Sequence, residues 1–237
     1  MTAVTATDGL TSAPALTPPS SAGRARWVII LLWMEALAAT VIALLALVAG
    51  LRGTDATMEV FHARGDGNLD FDPVATLYLL VAILKLLGFV ACAIAYFLWV
   101  YRARVRQRWF SRHLGFSDAR GGISPTYSIL VWFIPVLGIV LPYNDVHDLL
   151  TSEPSEPDDR RLLLPLWWGS FVVSNLMAMV STRLPDLEEN PWLTTLENVL
   201  VACSAVLAAR WIGEFERRTA RRTTTHAETA TPAVILG

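Results

Sequence analysis

ILVWFIPVLGIVL, residues 129–141, is a run of thirteen apolar residues interrupted by Pro135 and Gly138 and closed by Pro142. A helix needs about 20 apolar residues to cross the hydrocarbon core, and runs of roughly 10–14 are more often re-entrant, interfacial or buried. Pro135 removes a backbone donor and disturbs helical hydrogen bonding, while Gly138 permits an unusual turn. The segment, taken with its flanks as residues 127–143, is therefore predicted not to span. That reading sets the direction of every later element.

Four longer runs surround it. Residues 27–51 and 77–101 supply 25 largely apolar positions each, enough to cross with some tilt. Residues 162–181 add 20 more, opened by Pro165, Trp167 and Trp168, which suit a membrane interface. Residues 193–212 contain Glu197 and Arg210 but are bracketed by Trp192 and Trp211, separated by about 28 Å of helix, close to one hydrocarbon thickness. The expected fold class is an all-α, polytopic membrane helix bundle with four spanning helices and one short, proline-broken segment, re-entrant or interfacial.

Composition supports this class. Of 237 residues, 54% are hydrophobic and 17% charged, with a mean hydropathy of +0.45, as in integral membrane proteins. A net charge of -2 argues against a nucleic-acid partner. Cys92 and Cys203 lie inside apolar runs and read as small buried hydrophobes, not as a disulfide framework. Lys85 is the one lysine beside 18 arginines, a bias that, with abundant alanine, suggests a high-GC bacterium. Residues 1–23, rich in Thr, Ala, Ser and Pro, and residues 219–237 are expected to be disordered tails around a membrane domain at 24–218. The first apolar run is too long for the roughly 7–15-residue core of a signal peptide and reads as a permanent helix.

Arginine distribution narrows the topologies without separating the last two below, because cytoplasmic loops collect basic residues. If all five runs cross, the arginines divide nine to nine. If residues 129–141 turn back, fifteen fall on the cytoplasmic side with both termini and three outside. A rival in which the third run crosses and the fifth does not gives fourteen to four. Segment length and the tryptophan bracket favour the turning-back arrangement, whereas the lack of charge across 121–143 favours the rival.

From Ala95 onward the chain carries FLWVYRAR, then SPTYSILVWFIPVLGIVLPY, then PLWWGS. In this order they resemble the bacterial membrane family known as domain of unknown function 4328, over about residues 27–218. The resemblance implies a multi-helix inner-membrane protein and no particular chemistry. The chain departs from the family pattern at Arg106 or Gln107, where an Asn often stands, and at Val140 or Leu141, where an Arg often precedes the second proline.

Three constellations could carry function. Glu35, Lys85 and Glu197 are ionisable groups within spans, where charge is costly and often functional. Lys85 and Glu197 fall at matching depth, so an ion pair between them is expected; Arg210 or Tyr96 is nearer in depth to Glu35. The broken segment, through Trp132, Pro135, Gly138, Pro142 and Tyr143, could line a ligand site, as unwound segments do in transporters. Arg102, Arg104, Arg106, Arg108 and Arg112, interleaved with Trp109 and Phe110, continue the second helix and could face anionic lipid headgroups at about 1 kcal/mol each.

Other motifs are weaker. Asp66, Asn68, Asp70 and Asp72 alternate as in a calcium loop but lack its Gly and Glu, having Phe71 and Leu77 instead. Asp145, His147 and Asp148 read as a polar helix face. No HExxH, GxSxG or P-loop occurs, and the four histidines are scattered, so no catalytic residue, metal or cofactor is expected. Ala39 with Ala43, and Ala205 with Ala209, have the small-xxx-small spacing that lets helices approach closely.

The function expected from the sequence is a noncatalytic inner-membrane component binding a membrane protein partner or anionic lipid through its basic cytoplasmic face. The competing class is a small transporter or channel using the broken segment with Glu35, Lys85 and Glu197. A cavity joining those three residues favours the second class, and a tightly packed bundle the first.

Overall fold

The computed structural model describes residues 20–52, 73–114, 124–130, 132, 137–151, 162–181, 183–184 and 190–230, and these are helical apart from short turns. The helices are α1 (Ala22–Arg52), α2 (Pro73–Leu114), α3 (Tyr127–Leu130), α4 (Leu137–Thr151), α5 (Leu163–Ser181) and α6 (Pro191–Ala230). Four of them, α1, α2, α5 and α6, are long and apolar enough to cross a membrane. Their outer faces carry large apolar side chains such as Leu37, Leu44, Leu84, Leu87, Ile94, Leu176 and Met179, exposed as they would be to lipid.

The bundle is organised around α1 and α6. Small residues on α1 (Ala36, Ala39, Ala43) and on α6 (Ala205, Ala208, Ala209) are buried, so the two backbones approach closely. The helices run antiparallel: Ser21 meets Glu216 at one end, Thr195 reaches the Ala43 carbonyl higher up, and a Cβ on Gly50 would lie 3.3 Å from Pro191 and Trp192 at the far end. Helix α2 packs on α1, and α5 on α6. The start of α1, the finish of α2, the start of α5 and the finish of α6 share one end, here the basal end. Trp99, Trp167, Trp211, Ile212 and Phe215 form its core, with Trp99 and Trp211 at 5.4 Å and Trp167 and Trp211 at 5.2 Å.

The apolar run at 129–141 does not cross. Ser128 donates a hydrogen bond to Asp145 Oδ1 at 2.9 Å, although 17 residues separate them. A continuous helix of that length would hold the two about 26 Å apart. Val146 and Leu149 of α4 then join Trp99 and Val100 of α2 in the basal core, so the chain leaves the segment on the side where it entered. Two details differ from expectation. Gly138 lies in the first turn of α4 instead of forming an unusual turn, and α4 continues through the buried Pro142. Pro135 and the acidic loop at 66–72 lie outside the described residues.

Helices also outrun the lipid-length segments. Helix α6 continues to Ala230, so most of the tail expected to be disordered from 219 is helical. Hydropathy falls at the membrane edge, but Ala, Arg and Glu remain good helix formers, and Glu214 pairs with Arg218 at 3.2 Å one turn on. At the other terminus Ser21, expected in the disordered N-tail, is fully buried.

Candidate functional site: a cavity between α2 and α5

Helices α2 and α5 flank the central pair, and a cavity of about 580 Å³ lies between them. Glu35 from α1, Lys85 from α2 and Glu197 from α6 all line it, so the three intramembrane ionisable residues singled out in the sequence share one site. The rest of the lining is mostly apolar and aromatic, including Phe89, Phe97, Trp167 and Phe171, with Ser174, Asn175 and Ser204 as neutral polar groups. An apolar cavity with a few convergent polar groups is the usual form of a small-molecule site.

The expected Lys85–Glu197 ion pair is replaced by a different contact. Lys85 Nζ donates to Asn198 Oδ1 at 2.6 Å, and Asn198 Nδ2 in turn donates to the Thr194 carbonyl at 2.8 Å. Lys85 still acts electrostatically on both Glu35 and Glu197. The amide next to Glu197 takes the bond in place of its carboxyl. Glu35 is 7% exposed, and its Oε2 has no hydrogen-bond partner among the described residues. It faces α2 where Gly88 leaves room, since a Cβ on Gly88 would lie 3.5 Å from that oxygen. The Tyr96 hydroxyl, also on the cavity wall, is likewise unpartnered.

Trp132 is the contribution of the broken segment. Its ring stands edge-on to Tyr96 at 5.5 Å and Phe97 at 5.9 Å on α2, and to Trp168 at 5.6 Å and Phe171 at 6.1 Å on α5. It bridges the two helices across the cavity. Pro142 and Tyr143 do not line the cavity; they belong to α4, where Tyr143 stacks on His147 at 6.0 Å.

Below the cavity, two polar clusters tie the helices together. Arg104 of α2 donates to the Asp145 carbonyl, to Asp145 Oδ1 at 2.6 Å and to Gln107 at 2.8 Å. Burial pushes the Asp145 carboxyl up from the ordinary aspartate range, while Arg104 and the Ser128 hydrogen bond hold it down without cancelling the rise. In the second cluster, Glu216 of α6 accepts from Ser21 at 2.6 Å, Trp99 Nε1 at 2.8 Å and Arg106 at 3.1 Å. Arg106 also lies over the Phe215 ring at 5.5 Å.

Arg104 and Arg106, read from the sequence as lipid-facing, are thus turned inward at 4% and 7% exposure. Of their partners, Asp145 reads from the sequence only as part of a polar helix face and Glu216 has no reading, because nothing local in sequence marks them. One signal was present: Tyr96, Trp99, Ala103 and Arg106 recur every three or four residues, so the inward face of α2 continues past the apolar run. Of the remaining arginines, Arg102 is half-buried and Arg108 has a partner, and the side chain of Arg112 is outside the described residues.

Four apolar spans around a polar-dotted cavity define a multi-pass membrane protein of the helix-bundle class. A family model described as domain of unknown function (DUF4328) matches residues 70–231, and the chain belongs to that family. The matched region takes in Lys85, Trp132 and Glu197, while α1 with Glu35 lies before it. No curated protein and no solved structure matches the chain.

Proposed function

We propose that this chain is a noncatalytic bacterial inner-membrane protein that takes a small molecule into its intramembrane cavity and moves it across the bilayer, with both termini cytoplasmic. The observation that carries this reading is the meeting of Glu35, Lys85 and Glu197 on one cavity wall at membrane depth. Buried ionisable groups are expensive in lipid and are retained mainly along substrate or ion paths. The fifteen to three arginine distribution supports the orientation, with the basal end inside. Docking of lipid or a partner protein on the basic face has less support, because Arg104 and Arg106 are occupied within the protein.

Accessibility tests the proposal. Ala82 on α2 and Ala178 on α5 both line the cavity. With Cys92 and Cys203 removed (C92A, C203S), single cysteines placed by A82C and A178C in proteoliposomes are expected to react with a charged, water-soluble methanethiosulfonate reagent. Protection of both positions would mean a sealed, dry bundle and would overturn the transport reading.

A further inference from the structure

We infer that the cavity selects a lipophilic organic cation, a compact apolar body carrying one positive charge; this rests on the small-molecule reading above. Three observations converge on that chemistry. First, among the described residues the charged side chains of the lining are two carboxyls, Glu35 and Glu197, and one ammonium, Lys85. Lys85 gives one of its three donors to the neutral Asn198 amide at 2.6 Å, while one carboxyl oxygen has no hydrogen-bond partner among the described residues.

Second, that oxygen is Oε2 of Glu35, on a residue 93% buried by its 7% exposure, lining the cavity and lacking any hydrogen-bond partner among the described residues. A buried unpartnered carboxyl is a costly feature that a bound cation relieves. Third, the walls are aromatic: Phe89, Tyr96, Phe97, Trp132, Trp167 and Phe171 all line the same space. Aromatic faces attract cations through the ring quadrupole, and large rings replace the apolar contacts that a lipophilic body gives up on leaving lipid.

Alternative ligand classes fit less well. An anion would meet two carboxyls against one ammonium. A bare metal ion needs clustered oxygen, nitrogen or sulfur ligands, and no group of three such residues able to hold one occurs among the described residues. The 580 Å³ volume also far exceeds what a single hydrated metal ion fills, but lies within the range of organic-ligand pockets, about 300–1,000 Å³.

The probe pair is tetraphenylphosphonium and tetraphenylborate, ions of one shape and opposite charge. The full-length protein in nanodiscs, measured by equilibrium dialysis against empty nanodiscs, is expected to bind tetraphenylphosphonium saturably. Tetraphenylborate, measured in a separate dialysis because the two ions precipitate each other, should not bind saturably. E35Q is expected to weaken binding at least tenfold, and K85M, which removes the cavity's own positive charge, to strengthen it.

Preferential binding of tetraphenylborate, lost in K85M, would overturn the cation inference and leave the small-molecule reading intact. Binding of neither ion, while the cysteines at positions 82 and 178 remain reactive, would have the same consequence. Binding of neither ion with both cysteines protected would overturn both. If E35Q does not fold, the unaltered chain supplies the same test: tetraphenylphosphonium should protect Glu35 from dicyclohexylcarbodiimide. Undiminished modification at saturating probe would contradict the inference.

Discussion

Asp145→Ala is expected to destabilise the bundle by about 3 kcal/mol, because it leaves the buried Arg104 guanidinium without its counter-charge and removes the acceptor of Ser128. The pair ties α2 to α4 and fixes the returning limb of the broken segment, so the loss should be seen as a lower midpoint in denaturant titrations followed by tryptophan fluorescence. Asp145→Asn keeps an acceptor at Oδ1 and should cost only about 1 kcal/mol. Replacing both partners with apolar residues, as in R104M with D145L, should recover most of the loss, since the desolvation penalty disappears with the charges. A double variant as unstable as Asp145→Ala would contradict the assignment.

The same site gives a pH dependence with a definite sign. Burial raises the Asp145 carboxyl above its unfolded value, so the folded chain holds the proton more tightly. The stability tied to this group is therefore complete below the ordinary aspartate range and is lost as pH rises through the raised value. Asp145→Asn, which does not titrate, should flatten that part of the profile.

Glu216→Ala is expected to have an effect of similar or larger size, about 3–5 kcal/mol, because one carboxylate serves three donors on two other helices. Ser21 holds the start of α1, and Trp99 and Arg106 hold the end of α2. Their release should loosen the basal end while leaving the α1–α6 seam of small residues paired. The expected readout is a lowered unfolding midpoint, with faster exchange of backbone amides near residues 21–28 than near 36–46. Uniform exchange across α1 would argue that Glu216 supports no local junction.

The spans were legible because lipid imposes a length and an apolar content that few other environments require, and α1, α2, α5 and α6 meet both. The turn-back of the segment at 129–141 is suggested by its length and by the tryptophan bracket of the last run, whereas the arginine distribution, fifteen to three against fourteen to four, does not separate it from the rival topology. What sequence could not supply was pairing. Arg104 and Arg106 look like a solvated basic run because charge is usually exposed, and their partners lie 41 and 110 residues away.

The cavity residues were found individually for the opposite reason: Glu35, Lys85 and Glu197 stand out against apolar neighbours. That they share one cavity depends on the rotation of three helices, which charge and depth alone leave open. Asn198 went unnoticed because an uncharged amide inside a span draws less attention than the glutamate beside it. Trp132 was named with the broken segment, but its place between α2 and α5 follows from tertiary packing.

The central claim is that the proline-broken segment turns back and seats Trp132 between α2 and α5. It is tested most directly by single cysteines placed by S155C and E189C, one on each side of α5. In intact cells, a membrane-impermeant maleimide should label the cysteine at 189 from outside and leave the one at 155 unlabelled until the cells are opened. External labelling at 155 would mean that the segment crosses, and would contradict the account.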